Sequence, residues 1–74
     1  MQLTHTELKI IRNLQGLTRE QFADLLGISA HYIYLIESGK KPLTAELEAK
    51  VIEKCIKEEA TLIAIKFLRK QLEA

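Results

Sequence analysis

LTREQFADLLGISAHYIYLIESGKK, residues 17–41, reads as two short helices joined by a tight turn. Thr18 is placed to cap the first helix, and Gln21 three residues later completes the spacing of a capping box. Phe22, Ala23 and Leu26 then share one helical face. Gly27 interrupts the run where the backbone must leave helical geometry, a position where the absence of a Cβ removes the steric penalty. Ser29 can cap the next helix, Ile33 and Ile36 turn back to the core, and Gly39 follows as a stop signal.

On a helical wheel centred on Ile33 and Ile36, His31, Tyr34, Leu35 and Ser38 point outward, flanked by Ala30 and Tyr32. Glu37 lies close to the core side, where a lone carboxylate is expensive. It therefore needs a cationic partner, and Arg12 on the first helix is the candidate. By residue type alone, the outward His31 and tyrosines fit a solvated polar face as well as a contact surface.

The ordered run Leu17-Thr18, Phe22-Ala23, Leu26-Gly27-Ile28-Ser29, Tyr32-Ile33 and Ile36-Glu37-Ser38-Gly39-Lys40 tips that balance. Together with Leu8 and Pro42 at its ends, it resembles the phage repressor/Cro type of helix-turn-helix domain, the XRE-like family. The resemblance implies an all-α, lambda-repressor-like compact bundle of four or five helices that binds operator double-stranded DNA, commonly as a homodimer. It also implies that an Arg on the first helix pairs with the Glu ending the recognition helix. Arg12 and Glu37 hold those positions, in agreement with the wheel.

Seventy-four residues make one domain, near the size at which a single core is marginally stable. Punctuation by Gly and Pro between 3.6-residue apolar runs, without alternating stretches, argues for an all-α chain. Cys55, the lone cysteine, sits on an apolar face with Ile52 and Ile56 and reads as a small core residue. No signal peptide or membrane-length apolar run is present, so a soluble, cytoplasmic protein without a membrane partner is expected. The net charge of +1 is low for a DNA binder. Residues 1–42 carry five Lys/Arg against four Asp/Glu, and residues 43–74 carry six of each. Binding would then depend on placed charges and helix N-termini.

In chain order, Thr4 and Glu7 have capping-box spacing, so the first helix is expected to begin near His5 and to end before Gly16. Leu8 and Ile11 face the core. Ile10 and Leu14 form a second apolar stripe, expected to pack against an addition to the basic fold. The second helix spans roughly Arg19–Leu26; Leu25 is apolar at a position usually polar in the family. The third runs from about Ala30 to Ser38 and contains no Lys or Arg. Thr44 can cap a helix that carries Leu47, Val51, Ile52, Cys55 and Ile56 on its core face. Glu58-Glu59-Ala60-Thr61 offers a break, and one long helix or two successive ones fit equally. The final segment has a wide apolar arc: Leu62, Ile63, Ile65, Phe67, Leu68 and Leu72.

The expected organisation is therefore a helix-turn-helix DNA-binding domain over residues 1–57 and a C-terminal helix, 58–74, that packs and dimerises. Base contacts are expected from Ala30, His31, Tyr34 and Leu35, and phosphate contacts from Arg19, Tyr32, Ser38, Lys40 and Lys41. Backbone amides near Ser38–Lys40 would add to a phosphate clamp. Leu62, Ile65, Leu68 and Leu72 are expected at the dimer interface, since a twin subunit can bury an apolar excess. The function implied is a transcriptional regulator, a repressor on a palindromic operator. The alternative is an adaptor that binds another protein, a repressor or polymerase subunit, through Leu25 and Leu35. No glycine-rich phosphate loop, metal-spaced Cys/His cluster or nucleophile–base set is present, so neither an enzyme nor a metal or cofactor site is expected.

Overall fold

A computed structural model of the chain describes residues 3–56 and 59–73. Five helices follow in order: α1 His5–Leu14, α2 Arg19–Leu26, α3 Ala30–Glu37, α4 Ala45–Cys55 and α5 Glu59–Glu73; no described residue lies in a strand. The first four begin in the same way. Thr4, Thr18, Ser29 and Thr44 hold extended backbone, and each side-chain oxygen accepts the N–H of the residue three positions on. Each such cap satisfies a donor the helix cannot, at about 1 kcal/mol. Thr4/Glu7 and Thr18/Gln21 close reciprocally as capping boxes. Gly27, at φ 72°, ends α2 in the left-handed region and turns the chain into α3.

The core is where these helices turn their apolar stripes together. Leu8 and Ile11 of α1, Phe22 and Leu26 of α2, Ile33 and Ile36 of α3, Val51 of α4 and Ile65 of α5 are almost fully buried. α2 packs on α3, α1 on both α3 and α5, and α4 closes the base against α2. Cys55 is part of this core, and burial pushes its thiol pKa up, away from the reactive thiolate.

α4 and α5 are two helices. The break starts at Ile56, whose backbone is extended, two residues before the Glu58–Thr61 cluster that marked it in the sequence. The side-chain amide of Gln15 donates to the Cys55 carbonyl at 3.3 Å, where α4 runs out of internal partners. From there α5 returns along α1, with Lys66 and Arg69 reaching Glu7 near the start of that helix. The expected domain division at 57/58 falls outside the described residues. On its far side, Leu62 and Ile65 belong to the same core as α1–α4.

That packing corrects the expected dimer interface. Leu62 and Ile65 are buried within the chain, not offered to a second one. The reason is the stripe Leu62-Ile65-Lys66-Arg69, which follows the 3.6-residue period and faces α1 as a unit. Its two apolar members cover α1, with Ile10 in the same cluster, and its two cations neutralise Glu7. Glu7 itself is completely buried. Burial alone would raise its pKa, yet bonds from the Thr4 amide, Lys66 and Arg69 hold it below the ordinary value of 4.5. Leu14 does not join this contact and stays 58 % exposed. Ile63, Phe67, Leu68 and Leu72 also remain on the outside of α5.

Candidate nucleic-acid interface

α3 is held from behind by Ile33 and Ile36, neither of which has measurable exposure. Anchoring two residues three apart fixes both the axis and the rotation of an eight-residue helix. The opposite side is uncovered: His31, Tyr34 and Ser38 are exposed and Leu35 is half-buried. Ala30 and Tyr32 are also half-buried and lean on the core. Thus Ala30 and Tyr32 sit at the margin of the open face while His31 and Tyr34 form its centre.

Glu37 closes the helix from below. Its carboxylate accepts Arg12 Nε at 2.7 Å and Arg12 Nη2 at 3.2 Å, while Arg12 Nη1 donates to the Leu17 carbonyl at 2.9 Å. One guanidinium thereby ties α1, the α1–α2 turn and the end of α3, using the fork geometry that suits Arg to carboxylates. The same carboxylate lies 3.3 Å from Arg19 Nε, a contact too poorly aligned to be a hydrogen bond. Two guanidiniums share one carboxylate. A positive charge is left over at the first residue of α2, beside the open face of α3.

Around Tyr34 the side chains converge. Its ring stacks with His31, centroids 6.2 Å apart and planes 23° from parallel. The Arg19 guanidinium and the Lys40 ammonium each lie over the ring, 5.6 Å from its centroid. These are cation–π distances. Neither contact is apparent from sequence spacing, since Arg19 and Lys40 come from different elements. The i, i+3 spacing of His31 and Tyr34 did signal their adjacency.

The loop after α3 corrects one expectation. Gly39 is left-handed at φ 77°, and its N–H bonds to the Ile36 carbonyl at 3.0 Å while that of Lys40 bonds to the Leu35 carbonyl at 2.9 Å. This is the Schellman closure of a helix end. Ser38 N–H goes to the Tyr34 carbonyl at 3.0 Å and Lys41 N–H to that of Leu35 at 3.2 Å. The amides at 38–40 are therefore already spent on the helix's last carbonyls and have no proton for a phosphate. The Ser38 hydroxyl likewise donates to the Tyr34 carbonyl at 2.6 Å. The cationic side chains of Lys40 and Lys41, both exposed, are what this loop offers.

A short helix anchored on one side, open on the other, preceded by a Gly-turned helix and flanked by cations is the plan of a helix-turn-helix domain. The chain belongs to the XRE-type Helix-turn-helix family: the family model matches residues 8–55, from within α1 to the end of α4 and well over half of the sequence. The family is one of DNA-binding regulators, and this protein is a DNA-binding helix-turn-helix regulator. No curated protein and no solved structure matches the chain. Among the described residues no His/Cys/Asp/Glu group is arranged to hold a metal ion, and no helix is long and apolar enough to cross a membrane.

Proposed function

We propose that the protein is a sequence-specific transcriptional repressor that acts in the cytoplasm and binds a two-fold-related operator as a homodimer. The observation that carries this reading is the open face of α3, backed by two fully buried isoleucines and bordered by Arg19, Lys40 and Lys41. α3 enters the major groove, where His31 meets a base edge, the Tyr34 hydroxyl a base, and Leu35 or Ala30 a thymine methyl. Arg19, Lys40 and Lys41 lie on phosphates, with Tyr32 and Ser38 at the edges of the contact. Without an Arg on α3 the bidentate guanine contact is absent, which directs readout towards A·T pairs.

One subunit brings few cations, so a second copy raises both the phosphate count and the length of sequence read. The exposed apolar side chains of α5 supply the surface for it, with Leu68 and Leu72 on one flank of the docked stripe and Ile63 and Phe67 on the other. Repression needs no further device, since occupancy of a promoter excludes polymerase.

Selection of binding sites from random duplex tests the reading. A two-fold-related consensus with half-sites about one helical turn apart is expected. His31→Ala relaxes preference at one position of each half-site, whereas Lys40→Ala weakens all sequences alike and reduces the salt slope by about 1 per subunit. Failure to bind any duplex at low salt would refute the proposal. It would favour instead the adaptor reading, which Leu25, 40 % exposed on the outside of α2, would then carry.

A further inference from the structure

We propose that Tyr34 is a positioning residue for the phosphate-binding cations, its ring holding Arg19 and Lys40 at fixed places beside the open face of α3. The inference rests on the DNA-binding reading above and assigns the ring a task separate from any contact its hydroxyl makes.

Arg19 opens α2 and Lys40 follows α3, so their backbones are set by different helices. Both are long side chains on the protein surface, with Arg19 41 % exposed in its side chain and Lys40 exposed. Left alone, each would sample many rotamers, and binding DNA would have to order them. Instead both charges lie 5.6 Å from one ring centroid, inside the range of cation–π attraction. His31 stacks against the same ring and limits its rotation.

Electrostatics explains why an aromatic ring serves here better than a second carboxylate. Arg12 and Arg19 share the single carboxylate of Glu37, with Arg12 the closer, so the group of three keeps one net positive charge on the Arg19 side. A further acid would neutralise Arg19 and Lys40 and repel phosphate. The negative face of a π-system attracts both cations while leaving their net charge available. Among the described residues no protein group hydrogen-bonds the Tyr34 hydroxyl, so the ring contacts, and not a hydroxyl anchor, are what tie Tyr34 to its surroundings.

The test compares Tyr34→Phe with Tyr34→Leu, on selected and on random duplex, across a salt titration. Phe keeps the ring face and removes the hydroxyl; Leu removes both. Tyr34→Phe is expected to keep wild-type affinity for random duplex and wild-type salt slope. Tyr34→Leu is expected to lose about tenfold on random duplex, the size of ordering two long side chains on binding, and more on selected duplex, where the base contact of the hydroxyl is lost as well. Its salt slope should flatten by about 1 to 2 as the two cations lose their places. Equal losses for Phe and Leu would overturn the proposal, as would a Leu variant that binds random duplex like wild type.

A second readout needs no DNA. In the free protein the side-chain methylene resonances of Arg19 and Lys40 should be ring-shifted in wild type and Tyr34→Phe, and move to ordinary positions in Tyr34→Leu. If wild type binds no duplex, the DNA reading fails while these shifts still decide whether the ring holds the cations. Unshifted resonances in wild type would overturn the ring's role even if DNA binding is confirmed.

Discussion

Replacing Arg12 with Met removes the one cation that meets Glu37 in good geometry. The Glu37 side chain is 2 % exposed and that of Arg12 10 %, so both charges are effectively out of water. Arg12 makes three hydrogen bonds, two to the carboxylate and one to the Leu17 carbonyl. Deleting one partner of a buried pair costs about 3–5 kcal/mol, most of it the uncompensated charge left behind. Arg19, 3.3 Å away and partly solvated, offsets some of this, which places the expected loss near the lower end, at about 3 kcal/mol. For a domain of this length the total stability is on the order of 4–11 kcal/mol, so the variant retains a cooperative but weakened fold. Its Tm should fall by roughly 12–24 °C. Far-UV circular dichroism through thermal melts is the suitable assay, because the chain has no Trp to report by fluorescence. The double variant Arg12→Met/Glu37→Met removes both charges and should melt above Arg12→Met alone, since Arg19 is exposed enough to lose its partner cheaply. A single variant within about 1 kcal/mol of wild type, or a double variant no more stable than the single, would refute the buried-charge reasoning.

Two other outcomes follow from α5. Because the folded pKa of Glu7 lies below 4.5, the stability it contributes is present above that pH and is lost as pH falls through the folded value. Glu7→Gln should therefore lower stability at pH 7 by about 1–3 kcal/mol and flatten the acid limb of the stability curve below pH 4.5, read by urea denaturation at several pH values; an unchanged acid limb would remove Glu7 from that role. Charging the outer side of α5 with Phe67→Glu or Leu68→Glu should convert dimers to monomers by light scattering, lowering the melt only by the concentration-dependent stability that association contributes. An unchanged mass for both would exclude those two residues from the interface.

Much of the fold was legible because its signals are local. Thr4, Thr18, Ser29 and Thr44 act on amides three residues away, and the left-handed Gly27 follows an apolar run that must end. The Arg12–Glu37 pair could be read across 25 residues because a carboxylate on the core side of α3 has few remedies. The docking of α5 was hidden by its composition. Lys66 and Arg69 look like solvent-facing residues, yet they share the buried face with Leu62 and Ile65 because Glu7 awaits them. Nothing in the spacing of Thr4 and Glu7 distinguishes a cap on the surface from one that also carries a buried charge. The use of the 38–40 amides was readable in principle. A Gly one residue past a helix end implies the closure that spends them, and the stop signal at Gly39 and the supposed amide clamp were incompatible readings of one turn.

Glu7 lies far along the chain from α3, yet in the dimer proposed above it governs how two recognition helices are spaced. A buried carboxylate that takes both Lys66 and Arg69 of α5 locks that helix against rotation about its own axis, as a keyway locks a shaft. The outer flanks of α5 then face fixed directions, and the separation of the two α3 helices is inherited from them. Variants of Glu7 that still fold should therefore change which operator spacing is preferred before they change which bases are read.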